Sequence, residues 1–429
     1  MNIYDYQAAF GGVDKTSQKM RDAVNSWFSL YYRDTEENGE DPCQRVAYTV
    51  VNKLVRTVFA EYNAQGENAF AANVLSAVDD LRDAAVQLAL VGGESYIKPW
   101  VQQGALGFTL IPRNRILVFA RDASGEPTDV GTVELSTLSN AYFTLLERRT
   151  LGADGKLTLE NRLYKSYRSD ALGTQVALTE HPDYRELPER YTFAEPMGIG
   201  LVGIKTPMLN CVDGSRDGVS VYAAAVGLIH AIDRNEYLLK GEFERGQSRV
   251  FTSADLLRDG TLQDNLFVGL DEDAQSVGLT VFSPQLREES FLNRKREYLR
   301  NVESVIGLKR GLLSDVNEEK RTATEIASSE GDHALTVQDF QRMWQGALNR
   351  LLALCVVLGR LYGIRDAKPS GVRVDWGNGV LHDQAVAWED YKDMVSRGLI
   401  KPEIALGWRF GMQTATEADL HKIRTHLMP

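Results

Sequence analysis

Two stretches decide the fold: GVSVYAAAVGLIHAIDRNEYLLKGEFERGQ at 218–247 and PQLREESFLNRKREYLRNVESVI at 284–306. In the first, Val221, Ala225, Leu228, Ile232, Leu239 and Phe243 recur at gaps of four, three, four, seven and four. That spacing predicts one helix with a single apolar face. For the second, Ser283 is placed to cap a helix, Pro284 to occupy its first position, and Gly307 to stop it in the left-handed conformation. Between them, 248–283 reads differently. RVFTS (249–253), NLFVGL (265–270) and VGLTVFS (277–283) are β-like pieces separated by turns. The insert holds Asp255, Asp259, Asp264, Asp271, Glu272 and Asp273 against the single base Arg258 across 250–283. Two helices therefore bracket a small acidic module like stalks.

Working outward, 14–32, 43–62 and 69–91 carry apolar residues at helical spacing, the last as Phe70, Val74, Val78, Leu81 and Leu88, with Gly92-Gly93 as its stop. Strand-like runs follow at 94–101, 107–119, 130–135, 141–150 and 157–168. Beyond the second stalk lies a loop, 307–320, with Gly307, Lys309, Arg310, Gly311, Asp315, Glu318 and Glu319. Thr322 and Glu325 then form a capping box, in which hydroxyl and carboxylate satisfy free backbone N–H groups reciprocally. The helical pattern after it persists to about Gly363, roughly 60 Å if straight, with Gly331, Gly346 and Gly359 as places for a kink. A strand-like GVRVDW (371–376) and a helix over 384–397 close the chain. The order is that of an α+β protein.

Composition bounds the function. With 429 residues, 43% of them hydrophobic, the chain can bury a large core in two to four domains. No run is long and apolar enough for a membrane span, and the start lacks the order of a signal peptide. The expectation is a soluble protein made in the cytoplasm. Cys43, Cys211 and Cys355 are far apart and are expected to be buried free thiols. A net charge of −11 argues against a tight grip on nucleic-acid phosphate.

Catalytic constellations are present only as fragments, so no enzyme, metal or cofactor is expected. Gly11-Gly12-Val13-Asp14-Lys15-Thr16 puts a carboxylate where a phosphate loop needs glycine, and reads as a helix start. Asp213-Gly214-Ser215-Arg216-Asp217-Gly218 opens like a calcium loop, but Ala224 stands where the closing Glu is required, so it reads as a turn. The six histidines are scattered.

Several motifs, in order, resemble the portal proteins of long-tailed bacteriophages, the SPP1-type portal family. VVNKLVRTVFAEYNA (50–64) is similar to a family helix in Asn52, Lys53, Phe59 and Glu61, and ALVGGESYIKPWV (89–101) to a helix stop leading into a strand. Gly218-Val219-Ser220-Val221-Tyr222 with Ala231-Ile232-Asp233 resembles the start of the family's stem helix, and Glu242-Phe243-Glu244 its end. Thr322-Ala323-Thr324-Glu325-Ile326 is the most specific match. VDWGNGVLHDQ (374–384) and RGLIKPEIAL (397–406) resemble the C-terminal segments, with Gly377-Asn378-Gly379 departing from the acidic or serine residues usual there.

The resemblance implies a ring, usually a dodecamer, with an axial channel for double-stranded DNA at one capsid vertex. It implies a wing at 1–217, stem helices at 218–247 and 284–306, a clip at 248–283, a channel-facing tunnel loop at 307–320, a long helix and wing–crown connection at 321–370, and a mainly helical crown at 371–429. The implied partners are major capsid and scaffolding proteins, the terminase large subunit that packages DNA, and head-completion or adaptor proteins. The alternatives are another phage head protein, such as a minor head or adaptor subunit, and a nucleic-acid-processing enzyme. The acidic balance predicts weak duplex binding that vanishes by about 0.2 M salt, because few cations contact phosphate at once. A mobility shift across a salt series measures this, and tight sequence-selective binding would contradict it.

Overall fold

The computed structural model describes the chain apart from residues 1–2, 34–42, 247–248, 254–266, 271–279, 283–284, 315–322, 378–383, 411, 413, 415–416 and 428–429. The described residues divide into two compact units, one of 1–58 and 65–373 and a smaller one of 59–64 and 374–429. Two short strands, β1 (Asn63–Gly66) and β14 (Val372–Asp375), each span the division.

The larger unit begins with helices whose caps follow from their sequence. Ser17 caps Gln18–Tyr32 by accepting from the Met20 N–H, and Asn68 caps Ala69–Asp79 by accepting from the Ala71 N–H. The expected single helix over 69–91 is two, Ala69–Asp79 and Arg82–Gly92, joined by a turn closed from Leu81 N–H to the Val78 carbonyl. Periodicity could not reveal the break. Buried Val78 and Ala85 are seven apart, which continues the helical phase across it.

Strand β2 (Glu94–Gln102) lies between β3 (Ala105–Pro112) and β10 (Val202–Lys205) in an antiparallel three-stranded sheet. The run expected as one strand over 107–119 is interrupted. β3 ends at Pro112, a 3-10 turn takes up Arg113–Arg115, and β4 (Ile116–Arg121) starts a second sheet. That sheet continues through β5 (Pro127–Leu138), β6 (Ala141–Leu151), β7 (Leu157–Ser166) and β8 (Thr174–Val176), with β9 (Arg190–Thr192) also on β7. Ser139 and Asn140, both at positive φ, make the two-residue hairpin between β5 and β6. Ile3, Tyr6, Phe10, Leu117, Phe119, Val133 and Leu146 form a core cluster of this sheet.

The first stalk helix is Val226–Arg245, shorter than expected, because 218–222 is an extended-to-turn segment and Ala223–Ala225 a 3-10 turn. Val221 and Tyr222 are buried there, outside the helix, and Phe243 is exposed; Ile229, Ile232 and Leu239 are the buried stripe. The second stalk helix is Glu288–Ile306, starting four residues later than 284, with Arg287 at the cap position and no side-chain cap. Ser283 and Pro284 lie outside the described residues. Arg287 pairs with Glu242 and Lys295 with Glu236, so the helices run antiparallel. At their far end β11 (Arg249–Ser253) pairs parallel with β12 (Phe267–Leu270) and antiparallel with β13 (Thr280–Phe282).

The long helix runs unbroken from Ala323 to Leu361 and packs on β2 and β10. Phe340, Trp344, Ala347, Leu351 and Cys355 form its buried stripe. Cys355 is the one thiol of the three that is fully buried. Cys43 is half-buried and Cys211 exposed, in a surface turn, which corrects the expectation of three buried thiols. In the smaller unit Phe59, Tyr62 and Trp376 cluster with ring centroids 5.2–6.1 Å apart. Tyr391 stacks on Trp408 at 4.7 Å between helices Gln384–Ser396 and Pro402–Phe410.

The N-terminal helices, the three-stranded sheet and the stalk meet where two backbones touch. Gly93, at φ 80°, leaves no room for a side chain: a Cβ there would sit 2.3 Å from the Gly218 carbonyl group. Next to it the buried Glu94 accepts from the Gly218 N–H at 2.6 Å and from the Tyr96 hydroxyl at 2.8 Å, with the buried Arg113 guanidinium 3.8 Å away. Burial alone would raise the Glu94 pKa, but Arg113 and these two donors hold it below the usual value. Gly93→Ala is therefore expected to destabilise the protein by at least about 2 kcal/mol, from backbone strain and a clash with backbone that cannot yield. Urea unfolding of the variant beside the parent measures this, and an unchanged midpoint would refute the close approach.

Candidate functional site

The loop after the second stalk helix collects the sequence-predicted residues that the structure describes. The helix ends at Gly307, φ 77°, where the N–H of Leu308 returns to the Glu303 carbonyl and that of Gly307 to Ser304. A turn from Lys309 to Leu312 follows. Gly307, Lys309, Arg310 and Gly311 thus fall within two tight turns, with Lys309 half-buried and Arg310 exposed. Asp315, Glu318, Glu319 and Thr322 lie outside the described residues, as do Asp255, Asp259, Asp264, Asp271, Glu272 and Asp273. Glu325 is in the first turns of the long helix, and only its backbone is described.

The two turns of this loop are bonded to the helices around them. Glu303, completely buried, accepts through Oε1 from the N–H groups of Gly311, Leu313 and Ser314 at 3.1, 2.5 and 2.9 Å. Its Oε2 accepts from the Ser314 hydroxyl at 3.0 Å and from Gly311 N–H at 3.1 Å. The Lys53 ammonium donates to the Leu312 carbonyl. His333, from the long helix, places Nδ1 3.4 Å from the Gly307 carbonyl. A carbonyl can only accept, so Nδ1 carries the proton. Residues 307–314 are accordingly tied to three helices.

Glu303, Lys53 and His333 were not singled out in the sequence as parts of this site. One signal was available: Leu299, Val302 and Ile306 set an apolar face into which Glu303 falls. An acid in such a stripe needs donors, and the glycine-containing loop eight residues on has backbone N–H groups to supply them.

Elsewhere, apparent chemistry resolves into structure. Asp14, in the glycine-containing segment, accepts from the Val118 N–H and the Thr16 hydroxyl and is committed internally. Asp213 accepts from the Ser17 hydroxyl, the Ser215 N–H and the Asn210 amide, closing a turn. Ser136, His181 and Asp183 mimic a triad, with Ser136 Oγ 3.2 Å from His181 Nε2. The Asp183 backbone N–H, however, donates to Nδ1, so Nε2 holds the proton and faces the serine as a donor. In that tautomer His181 cannot accept the serine proton. Among the described residues no cluster of three His, Cys, Asp or Glu could hold a metal, and no helix is long and apolar enough to cross a membrane.

A family model described as phage portal protein, SPP1 Gp6-like, matches residues 15–425. The stalk, its terminal sheet and the long helix are therefore parts of a phage portal protein, a structural and not an enzymatic class. The chain belongs to the SPP1 Gp6-like portal family. No match is found among curated proteins.

The His333 contact carries a pH dependence. Burial lowers the imidazole pKa, with Lys309 acting in the same direction and the Gly307 bond opposing. The folded state therefore favours neutral His333, while the unfolded chain takes up the proton near pH 6.5. Its stabilising contribution is complete above that pH and is lost as the pH falls below it. The expected slope is at most about 1.4 kcal/mol per pH unit. His333→Asn keeps a donor without the titration and should remove this part of the slope between pH 7 and pH 5, as read by denaturant melts.

Proposed function

We propose that this chain is the ring-forming subunit at one vertex of a phage capsid, where double-stranded DNA enters during packaging and leaves at ejection. The observation that carries the reading is the family match over 15–425 together with an antiparallel two-helix stalk bearing a three-stranded sheet at its end. In domain terms, 1–217 would be the wing, 218–247 and 284–306 the stem, 248–283 the clip, 307–320 the tunnel loop, 321–370 the long helix and its connection, and 371–429 the crown.

Exposed apolar side chains support assembly. Tyr237 and Leu238 on the first stalk helix, and Leu292 and Val305 on the second, are between about a third and a half exposed in the single chain. Neighbouring subunits would cover them. Closed rings need such heterologous contacts, since a patch that pairs with itself makes only a dimer. A dodecamer is the proposed state.

Charge supports transit. Net charge is −11 in each subunit, so a ring of them repels the duplex overall and leaves only local contacts, from Lys309 and Arg310, to touch phosphate briefly. Asp315, Glu318 and Glu319 would limit that hold. The clip acids Asp255, Asp259, Asp264, Asp271, Glu272 and Asp273 would steer a basic surface of the terminase large subunit, and later of head-completion or adaptor proteins, to the stalk end. Scaffolding and major capsid proteins would hold the ring in the virion, after assembly in the host cytoplasm.

The test has three readouts. Purified protein viewed down its axis by electron microscopy should give closed rings with a channel, and monomers or dimers alone at micromolar concentration with scaffold present would refute the assembly. Heads built with Lys309→Ala and Arg310→Ala together should contain less DNA with rings intact; normal packaging would remove the contact role. Charge reversal at Asp271, Glu272 and Asp273 should weaken adaptor docking, and unchanged docking would leave those acids as solvated surface.

A further inference from the structure

We propose that Glu303 is a latch that fixes the root of the 307–314 loop, so that Lys309 and Arg310 are held at a set position beside the end of the second stalk helix. This rests on the reading of that loop as the one that meets DNA. Glu303 is a positioning residue in this scheme; it touches no ligand.

The geometry is that of an anion nest filled from within. The N–H groups of Gly311, Leu313 and Ser314 converge on one carboxylate, that of Leu312 turns back to the Lys309 carbonyl, and the Ser314 hydroxyl completes the set. In water each of these donors would be solvated and the loop would gain little by closing. Here the carboxylate is fully buried, and an open loop would strand it without partners. Opening is therefore penalised at both ends of the contact. Gly311, at φ 89°, permits the turn that aims its N–H inward, which makes that glycine a device for closing the loop and not for freeing it.

Two further attachments keep the latch from sliding. Lys53 holds the Leu312 carbonyl from the helix Val46–Val58, and His333 holds the Gly307 carbonyl from the long helix. The segment between them carries both cations. Because Glu303, Lys53 and His333 come from three different helices, Lys309 and Arg310 are held against all three, and the stalk helix cannot turn relative to the other two without breaking one of these bonds. DNA passing the loop would thereby meet cations fixed to three helices, and not a slack connector.

Hydrogen exchange on the assembled ring tests this, comparing peptides covering 308–314 with peptides covering 298–306. Glu303→Gln keeps the volume and replaces one acceptor by a donor, and should speed exchange of the loop amides about tenfold while the helix peptide is unchanged. Ser314→Ala removes only the hydroxyl bond and should give a smaller increase, so it serves if Glu303→Gln fails to assemble. Unchanged loop exchange in both assembled variants overturns the latch. Heads built with the same variants separate the two levels of the argument. Faster exchange with shortened packaged DNA supports both latch and DNA role, whereas faster exchange with full-length DNA keeps the latch and removes the loop from transit.

Discussion

The meeting of Gly93 with Gly218 is the contact on which the larger unit depends. Gly93 caps the helix Arg82–Gly92 and leads into β2, and its carbonyl accepts from the Thr206 N–H just past β10. Gly218 opens the segment that becomes the stalk. Around them Val221 N–H and the Ser220 hydroxyl both reach the Leu90 carbonyl, and the Tyr222 hydroxyl reaches that of Trp27. Glu94 sits under the seam as a buried acceptor. Its charge is tolerable only because Arg113, itself wholly buried and bonded to Thr16 and the Ile116 carbonyl, lies beside it. The stalk is thus set by backbone contact, with a polar network placing it and apolar burial filling the space around.

A similar logic operates within the six-stranded sheet. Glu147 is buried between Arg149 and Lys98; burial alone would raise its pKa, and the two cations bring it down to about 2. Arg149 also caps the Ile199 and Gly200 carbonyls, joining the sheet to the chain that returns toward β10. Such networks give little net stability compared with apolar packing, but each forbids alternative pairings that would leave a charge unpaired in the interior.

How much of this was legible in the sequence follows from what each signal reports. Helical faces announced themselves because Phe70, Val74 and Val78, or Phe340, Trp344 and Leu351, repeat with helical period, and the strands at 249–253 and 280–282 lay inside β-rich pieces bounded by turns. The break at Asp80-Leu81 stayed hidden because it preserves phase. The start of the first stalk helix was misplaced because Val221 and Tyr222 are apolar for another reason: they plug the seam at Leu90 and Trp27 before the helix begins. Family membership was readable from ordered motifs, of which Gly93 and Gly218 prove to be the touching backbones. The loop was only half legible. Lys309, Arg310 and the two glycines stood out by type, whereas Glu303, Lys53 and His333 belong to three separate helices and become neighbours only in three dimensions.

The seam also bears on the order in which the chain acquires its structure. Glu94 and Gly218 are 124 residues apart, so their hydrogen bond closes a long loop. Closure entropy grows only slowly with length, by about 0.6 kcal/mol per doubling, but it must be met before the contact returns anything. The stalk hairpin, whose pairs Glu242–Arg287 and Glu236–Lys295 are 45 and 59 residues apart, closes a shorter loop at a cost lower by about 0.6–0.9 kcal/mol. Local pairing can therefore run ahead of anchoring, and a stalk made before the chain preceding it has folded would lack the contact that roots it. The chain before Gly218, through Trp27, Leu90, Gly93 and Glu94, is in that sense the stalk's foundation: a fragment beginning at Gly218 could fold its helices and still lack the seam that sets their direction.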